Sequence, residues 1–428
     1  MNIGIKDPQS QRFEKNIGFQ DLYFRKNLKM FKKYHYGNGT LTLNRSFSEL
    51  KIPSFLLLSK IKPKRYWEAQ MHHITHNECP LPCKYTRELT DLNKVDALVI
   101  HLDSFKNPKG VLNNIRERRN PNQPWVMMSF ETCLMANKTF NLSYKSFNSF
   151  FNRTMSFRKD SDVILNHGFI VSKNDRSFLP HHWSIPLENI NPVTYKPNAT
   201  VIATLISNCK DKSGRLKYIK ELSQYIEVDI FGKCGKLKCG GSLYVSAHYK
   251  PNNQKCLKKV GNSYMFYLAF ENSFCKDYVT EKVYNLLYYP IVPIVYGGAN
   301  YEEVLPPNSY INAANYSPVK LAEYIKFLLS NQTEYRKYLK WRELYSPSTV
   351  GGERILCDLC TTLHDPDFYK HNFINILSSI PNLLEQVLKI NNYNTSSNSL
   401  LYLLSEIPSS PSRILKFKAI CQPIKHCN

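Results

Sequence analysis

Residues 266–282, with the sequence FYLAFENSFCKDYVTEK, constrain the fold of this chain more than any other segment. The segment opens on a short apolar run, rich in aromatic residues, that is typical of a buried strand. It turns polar at Glu271 and ends at Lys282, where Val283 and Leu287 indicate the start of a helix. A strand, a polar loop and a helix start form a ligand site at the carboxyl edge of a parallel sheet. Free N–H groups and the helix dipole favour phosphate there, so the segment predicts a site for an anion that carries a sugar or nucleoside.

The chain has 428 residues, enough for two domains. Short apolar runs alternate with segments of helical pattern, which predicts an α/β fold. Residues 201–207 and 228–231 are predicted strands on either side of a helix that begins at Arg215, and this unit is typical of a Rossmann-like half. The predicted organisation is a poorly ordered basic lead-in over residues 1–69, an N-terminal α/β domain over 70–192, a C-terminal Rossmann-like domain over 193–345, and a C-terminal segment over 346–428.

The chain is strongly basic, with 57 Lys and Arg against 34 Asp and Glu and a net charge of +23. Such a surface attracts nucleic acid, acidic membranes and small molecules that carry polyphosphate. The basic residues are spread along the chain and form neither a basic tail nor a basic helix register, which disfavours a nucleic-acid partner. A nucleic-acid binder driven by charge remains a competing hypothesis.

Twelve cysteines indicate an oxidising compartment, in which they would form disulfides. Zinc is the rival explanation, but the CxxC pair at residues 357–360 has no second such pair beside it. Glycosylation sequons such as that at Asn198 also indicate a lumenal protein. Neither a window of about 18 apolar residues nor a signal-peptide core is visible in the sequence.

The motifs FYLAFENS and DYVTEK, followed by Val292-Pro293, Tyr301-Glu302 and LPPNSYI, resemble the donor-binding motif of the alpha-1,3-fucosyltransferases, glycosyltransferase family 10. The resemblance runs from about residue 78 to residue 362 and is strongest over 201–316. It implies the GT-B fold, in which two Rossmann-like domains face each other across a cleft. It also implies inverting transfer of L-fucose from GDP-fucose to the 3-hydroxyl of N-acetylglucosamine in a glycoprotein or glycolipid glycan. The alternative is a catalytically inactive module of the same fold that binds nucleotide or glycan.

An inverting sugar transfer needs cationic or N–H groups for the leaving diphosphate and a base for the acceptor hydroxyl. Lys282 and Arg215 are the predicted diphosphate contacts, because both stand at strand–helix turns of one predicted sheet. The resemblance adds Asn208, Tyr267 and Asn272 as residues of the nucleotide pocket, and Glu281 is the candidate partner of donor hydroxyls. The predicted donor-binding residues are Asn208, Arg215, Tyr267, Asn272, Glu281 and Lys282.

Glu131 is the predicted catalytic base. It follows the predicted strand PWVMMSF, and the resembling family carries a glutamate in that place. Burial at a strand end raises the pKa of a carboxyl toward neutrality, which suits a base. Thr132-Cys133 stand here where the family has Ser-Pro, so the loop on the acceptor side differs from the family pattern.

Asp160-Ser161-Asp162 has the form of the Asp-X-Asp manganese motif of other glycosyltransferases. It lies, however, in FNRTMSFRKDSDV, which resembles an acceptor-half segment of family 10, and a structural role with Arg158 is predicted instead. Asn166-His167-Gly168 stand close behind it where the family has Pro-Tyr-Gly. No metal-ligating residue and no tightly bound cofactor are predicted, and stimulation by a divalent ion such as Mn²⁺ is left open.

The resemblance further implies that Cys357 and Cys360 attach the C-terminal segment to the first domain near Cys79 and Cys83. It implies residence in the Golgi lumen and association with the Golgi membrane, although the sequence shows no membrane-spanning segment.

Overall fold

The structure is a computed structural model. It describes residues 36–37, 40–41, 51–60, 74, 81–105, 108–120, 122–132, 150–165, 167–172, 200–238, 251–348 and 352–370. The first described elements are two short antiparallel strands, β1 (Tyr36–Gly37) and β2 (Thr40–Leu41). Residues 192–197, whose prolines predict a linker, and residues 400–407, whose pattern predicts a last helix, lie outside the described residues.

The first sheet, over the described residues, has six parallel strands in the order β4-β3-β5-β6-β7-β8. Its strands are β3 (Ser54–Leu58), β4 (Lys84–Thr86), β5 (Ala97–His101), β6 (Trp125–Ser129), β7 (Arg153–Ser156) and β8 (Val163–Ile164). β5, β6 and β7 are buried at every position. Continuous apolar runs such as those of β5 and β6 suit parallel strands that are covered on both faces. Helix α1 (Pro108–Arg116) connects β5 to β6.

The predicted lead-in over residues 1–69 is wrong in one part, because β3 belongs to the first domain. Its Phe55, Leu56 and Leu57 are at most 1% exposed, and β3 pairs with both β4 and β5. A strand buried on both faces shows no polar–apolar alternation, so a run this short carries no period. The first domain therefore begins before residue 70.

The second sheet has five described strands, again all parallel, in the order β11-β10-β12-β13-β14. These are β10 (Ile202–Leu205), β11 (Val228–Phe231), β12 (Phe266–Phe270), β13 (Val292–Tyr296) and β14 (Ile311–Asn312). Helices α2 (Arg215–Leu222), α3 (Pro251–Ser263) and α4 (Glu281–Tyr284) connect the first four of them. The chain moves outward from β10 to β11 and then returns to β12 on the other side of β10. This reversal opens a crevice beyond the carboxyl ends of β10 and β12, where open α/β sheets bind ligands.

After the second sheet the chain forms α5 (Pro318–Ser330) and α6 (Gln332–Lys337) and returns to the first domain. Strand β15 (Tyr345–Ser348) pairs antiparallel with β9 (Phe169–Ser172). Helix α7 (Gly352–Leu363) then buries Leu356 and Leu359 in the core of the first sheet. This helix was not predicted. Short 3-10 turns cover Leu89–Asp91, Leu102–Ser104, Tyr301–Glu303, Ala313–Asn315, Lys340–Glu343 and Pro366–Tyr369.

Two Rossmann-like α/β units, each built on a parallel sheet, give the predicted GT-B architecture. In the part of the chain that the structure describes, every helix is too short or too polar to cross a bilayer.

Candidate active site

Glu271 organises the polar loop that follows β12. The residue is 1% exposed. Its Oε1 accepts hydrogen bonds of 2.9 Å from both the N–H and the Oγ1 of Thr280. Its Oε2 accepts a bond of 3.0 Å from Lys282 Nζ. The carboxylate therefore ties both ends of the loop together beside the second sheet.

Lys282 lies in this loop with its ammonium next to two carboxylates and a hydroxyl. Its Nζ is 2.7 Å from Thr280 Oγ1 and 3.6 Å from Glu281 Oε1, in addition to Glu271. Burial alone would lower the pKa of Lys282, but Glu271 and Glu281 raise it above its ordinary value. The side chain is 18% exposed. Lys282 is thus a permanently charged cation with access to the crevice.

Arg215 begins α2 and is 2% exposed. Its Nη1 donates to the Phe270 carbonyl at 2.8 Å and its Nη2 to the Asn208 carbonyl at 3.0 Å. The guanidinium therefore joins the end of β12 to the loop after β10. Its Nε is buried and has no hydrogen-bond partner in the structure.

Asn208 and Asn272 lie in the loops after β10 and β12, and Tyr267 lies on β12. Asn208 Oδ1 accepts from the Lys210 N–H at 3.1 Å, which shapes the loop after β10. Asn272 is buried, and its Oδ1 has no hydrogen-bond partner. Tyr267 is buried within the core on β12. Burial raises the pKa of Tyr267, and the charges of Lys282, Glu281 and Arg215 also affect it. The phenol therefore lies beneath the site.

Glu281 opens α4, which is a single helical turn and not the longer helix predicted through Leu287. Asn285 to Pro290 continue as turns, because successive bulky residues pack into the core there. A helix this short contributes little dipole, so the charge at this position comes from side chains. Glu281 Oε2 lies 3.6 Å from His167 Nδ1 of the first domain. Burial would raise the pKa of Glu281, but Lys282 and His167 lower it, so the carboxyl is ionised.

Glu131 follows β6 of the first sheet and faces the second domain. Its Oε2 accepts a hydrogen bond of 3.3 Å from the hydroxyl of Tyr278, which belongs to the polar loop after β12. Burial raises the pKa of Glu131; Lys282 and His167 oppose the rise, and Glu281 adds to it. The next residue, Thr132, donates from Oγ1 to Ser273 Oγ at 3.1 Å. Glu131, the candidate base, and Lys282, the candidate diphosphate contact, thus lie close enough to interact across the boundary between the domains.

Three further residues of this crevice were not assigned roles from the sequence. Glu271 and Tyr278 were within the quoted motif, but no sequence pattern tells which side chains of a polar loop turn inward. His167 was noted only as a departure from the family pattern. Its ring contacts that of Phe130 at a centroid distance of 6.1 Å, and its Nε2 is buried without a hydrogen-bond partner.

The Asp160-Ser161-Asp162 segment makes structural contacts. Arg158 pairs with Asp160 at 3.0 Å and, across the domain boundary, with Asp277 at 3.3 Å. Asp162 Oδ2 accepts from the N–H and Oγ1 of Thr154, both at 2.9 Å. Among the described residues there is no group of three metal-ligating side chains.

Two disulfides lie within the described residues. Cys83 is bonded to Cys360 with a Cα–Cα distance of 5.3 Å, which attaches α7 to the first sheet. Cys209 is bonded to Cys234, which joins the loops after β10 and β11. Cys357 is also disulfide-bonded. Cys79 lies outside the described residues.

Two facing Rossmann-like units are the arrangement of the GT-B fold, which is found among glycosyltransferases. Family models match both units: "Fucosyltransferase, N-terminal" over residues 59–168 and "Glycosyltransferase family 10 (fucosyltransferase) C-term" over residues 195–379. The chain belongs to glycosyltransferase family 10, the fucosyltransferases, and is an enzyme of that class.

Similar proteins include several named fucosyltransferases. Alpha-(1,3)-fucosyltransferase C of Drosophila melanogaster is 31% identical over 316 residues, which cover 70% of this chain and 69% of the relative. The human 4-galactosyl-N-acetylglucosaminide 3-alpha-L-fucosyltransferase FUT6 is 28% identical over 293 residues, or 67% of this chain and 73% of the relative. A crystal structure of an alpha1,3-fucosyltransferase aligns with a TM-score of 0.46 and 15% identity, covering 81% of this chain and 99% of that one.

Proposed function

We propose that this enzyme transfers L-fucose from GDP-fucose to the 3-hydroxyl of an N-acetylglucosamine residue in a glycan, with inversion at the anomeric carbon. Membership of the fucosyltransferase family supports the sugar and the reaction class. The observation that carries the proposal is the hydrogen bond between Glu131 of the first domain and Tyr278 of the second. It holds a carboxylate with a raised pKa beside a loop that carries a fixed cation.

Lys282 is the proposed partner of the donor diphosphate. Its ammonium stays charged, since Glu271 and Glu281 raise its pKa. As the bond between the anomeric carbon and the phosphate oxygen breaks, negative charge grows on the leaving GDP, and a fixed cation lowers the energy of that state. Arg215 adds positive charge from within the second domain. Its hydrogen bonds to the Asn208 and Phe270 carbonyls hold the loop after β10 against the end of β12.

The unpartnered buried atoms suit the rest of the donor. Asn272 Oδ1 and His167 Nε2 have no hydrogen-bond partner in the structure. Buried polar atoms without a partner are costly, so a ligand that supplies hydrogen bonds stabilises the site. Glu281 is the proposed acceptor of a hydrogen bond from a hydroxyl of the sugar or ribose.

Glu131 is the proposed base. The acceptor oxygen attacks the anomeric carbon on the face opposite to GDP, and the proton of its hydroxyl passes to Glu131. Burial raises the pKa of Glu131, which strengthens it as a base, while Lys282 and His167 limit the rise. The bond from the acceptor oxygen forms as the bond to GDP breaks, and because this single displacement occurs from the opposite face, the configuration inverts.

The proposed setting is the Golgi lumen. The disulfides Cys83–Cys360 and Cys209–Cys234 suit an oxidising compartment. The proposed acceptors are glycans that end in, or contain, N-acetylglucosamine.

The test is a transfer assay with GDP-fucose and two acceptors, a terminal lactosamine and the chitobiose core of an N-glycan. We expect mass spectrometry to find one added deoxyhexose and NMR to find an alpha-1,3 linkage on one of them. A thermal shift with GDP but no transfer to either acceptor would favour the inactive binding module. Binding to unrelated DNA duplexes with no response to GDP would favour the nucleic-acid hypothesis.

A further inference from the structure

We infer that Asp103 is a positioning residue for the proposed base: its carboxylate holds the turn after β6 so that Glu131 faces the crevice. The inference rests on the proposed function, since it concerns how Glu131 is presented. Asp103 was not identified from the sequence.

Asp103 lies just beyond the carboxyl end of β5, beside the end of β6. The order of the first sheet reverses between β3 and β5, so this position borders the crevice of that sheet. The Asp103 side chain is 9% exposed. It is therefore largely shielded from solvent at the carboxyl edge of the first sheet.

The carboxylate of Asp103 collects hydrogen bonds from three consecutive residues. Its Oδ1 accepts from Ser129 Oγ at 2.8 Å. Its Oδ2 accepts from the N–H of Phe130 at 2.6 Å and from the N–H of Glu131 at 3.2 Å. Burial raises the pKa of Asp103 to about 7, the charge of Glu131 adds to the rise, and the hydrogen bonds from residues 129–131 limit it. One side chain thus fixes the last residue of β6 and both residues that follow.

This anchoring explains how Glu131 leaves the sheet. After Ser129 the strand pairing ends, and two successive N–H groups turn toward one oxygen of Asp103 instead of toward a neighbouring strand. The Glu131 side chain is then free to reach the Tyr278 hydroxyl across the cleft. Within the described residues, the hydrogen bonds to the Asp103 carboxylate all come from residues 129–131, so its effect on the reaction passes through this turn.

Asp96 is a matched control at the opposite end of the same strand. Its Oδ2 accepts from the Ser54 N–H at 2.8 Å and from Ser54 Oγ at 3.0 Å. It therefore fixes a neighbouring segment in the same way as Asp103, but at the amino edge of the sheet, away from the crevice. Both carboxylates accept from a serine hydroxyl and from the main chain; Asp96 in addition pairs with Lys51 at 2.6 Å.

The experiment compares Asp103→Asn with Asp96→Asn in the full chain. The value of kcat is calculated from the concentration of GDP-binding sites, so that unfolded protein does not lower it. We expect Asp103→Asn to lower kcat about 10- to 100-fold, as a misplaced catalytic group does, with the Kd for GDP unchanged. Asp96→Asn lowers Tm and leaves kcat unchanged. Wild-type kcat in Asp103→Asn, or a parallel loss of GDP affinity, overturns the inference.

Ser129→Ala is the second variant if Asp103→Asn does not fold. It removes one donor to the Asp103 carboxylate, together with the 3.1 Å bond from the same hydroxyl to the Glu131 carbonyl, and keeps both main-chain donors. We expect kcat to fall about fivefold, the equivalent of one hydrogen bond, with GDP affinity unchanged; an unchanged kcat contradicts the inference. Glu131→Gln separates the two claims. If Glu131→Gln retains full kcat, the proposed base is wrong; if it loses kcat while Asp103→Asn does not, only the role of Asp103 is wrong.

Discussion

Lys282 Nζ lies 3.0 Å from Oε2 of Glu271, a carboxylate that is 1% exposed. The two residues are joined by the polar loop that follows β12, and Thr280 donates to the same carboxylate. A buried ion pair contributes little net stability, because desolvation of the two charges offsets their attraction. Its value here is positional: the pair fixes a cation at the edge of the crevice before any ligand arrives.

Lys282→Ala leaves Glu271 buried without its cation, which should lower the free energy of unfolding by about 3–5 kcal/mol. We also expect the KM for GDP-fucose to rise. Denaturant unfolding and donor kinetics measure the two effects. The double variant Lys282→Ala with Glu271→Gln should recover most of the stability, since no charge is left buried, but not the donor affinity. Recovery of the donor KM in the double variant would mean that Lys282 has a purely structural role.

In the pH profile of kcat/KM, the acid limb is the fall in activity at low pH. Its midpoint should lie above the pKa of an ordinary glutamate. Burial raises the pKa of Glu131, and a base must be ionised to accept a proton. Activity is therefore present above this raised pKa and is lost as the pH falls through it. A pH profile of kcat/KM at fixed ionic strength tests this. An acid limb at or below the pKa of a free carboxyl would contradict the assignment of Glu131.

Tyr278→Phe should move that acid limb to higher pH by less than about one unit, since it removes one hydrogen bond that favours the ionised carboxylate. Tyr335→Phe is the control: its hydroxyl donates to the Met265 carbonyl at 2.9 Å in the core of the second domain. This control lowers Tm without moving the acid limb. Equal acid limbs in Tyr278→Phe and the wild type would argue against a working contact between Tyr278 and Glu131.

Cys83→Ser with Cys360→Ser should reduce the free energy of unfolding by about 2–5 kcal/mol, because this disulfide closes a very long loop between residues 277 apart in sequence. Cys275→Ser, which changes a cysteine outside this disulfide, is the control. Calorimetry measures both. A Tm for the disulfide variant equal to that of Cys275→Ser would show that α7 is held by packing alone.

The central strands of both sheets could be predicted from the sequence, because β5, β6, β12 and β13 are continuous apolar runs bounded by polar residues. β3 was missed since the surrounding residues are polar and its own run is short. α7 was missed because its apolar positions, such as Leu356 and Leu359, are interrupted by cysteines whose packing the sequence does not specify. The length of α4 was overestimated, since apolar residues after Tyr284 continue as turns.

The site was predictable only where residue type and strand end coincide. Lys282, Arg215 and Glu131 stand directly after predicted strands or at helix starts. The topology of the second sheet places Lys282 and Arg215 at its carboxyl edge, and that of the first sheet places Glu131 at its own carboxyl edge. The Glu271–Lys282 pair and the bonds of Asp103 to residues 129–131 depend on side-chain directions within polar loops. His167 comes from a different part of the chain and meets Glu281 only through the arrangement of the two domains.

The most direct test of the account is a comparison of Glu131→Gln and Lys282→Ala by calorimetric titration with GDP and by single-turnover transfer from GDP-fucose. We expect Glu131→Gln to bind GDP with the wild-type Kd and to transfer fucose at least about 100-fold more slowly than the wild type. Lys282→Ala should bind GDP more weakly. Wild-type transfer by Glu131→Gln, or wild-type GDP affinity in Lys282→Ala, would contradict the division of roles between the two sides of the crevice.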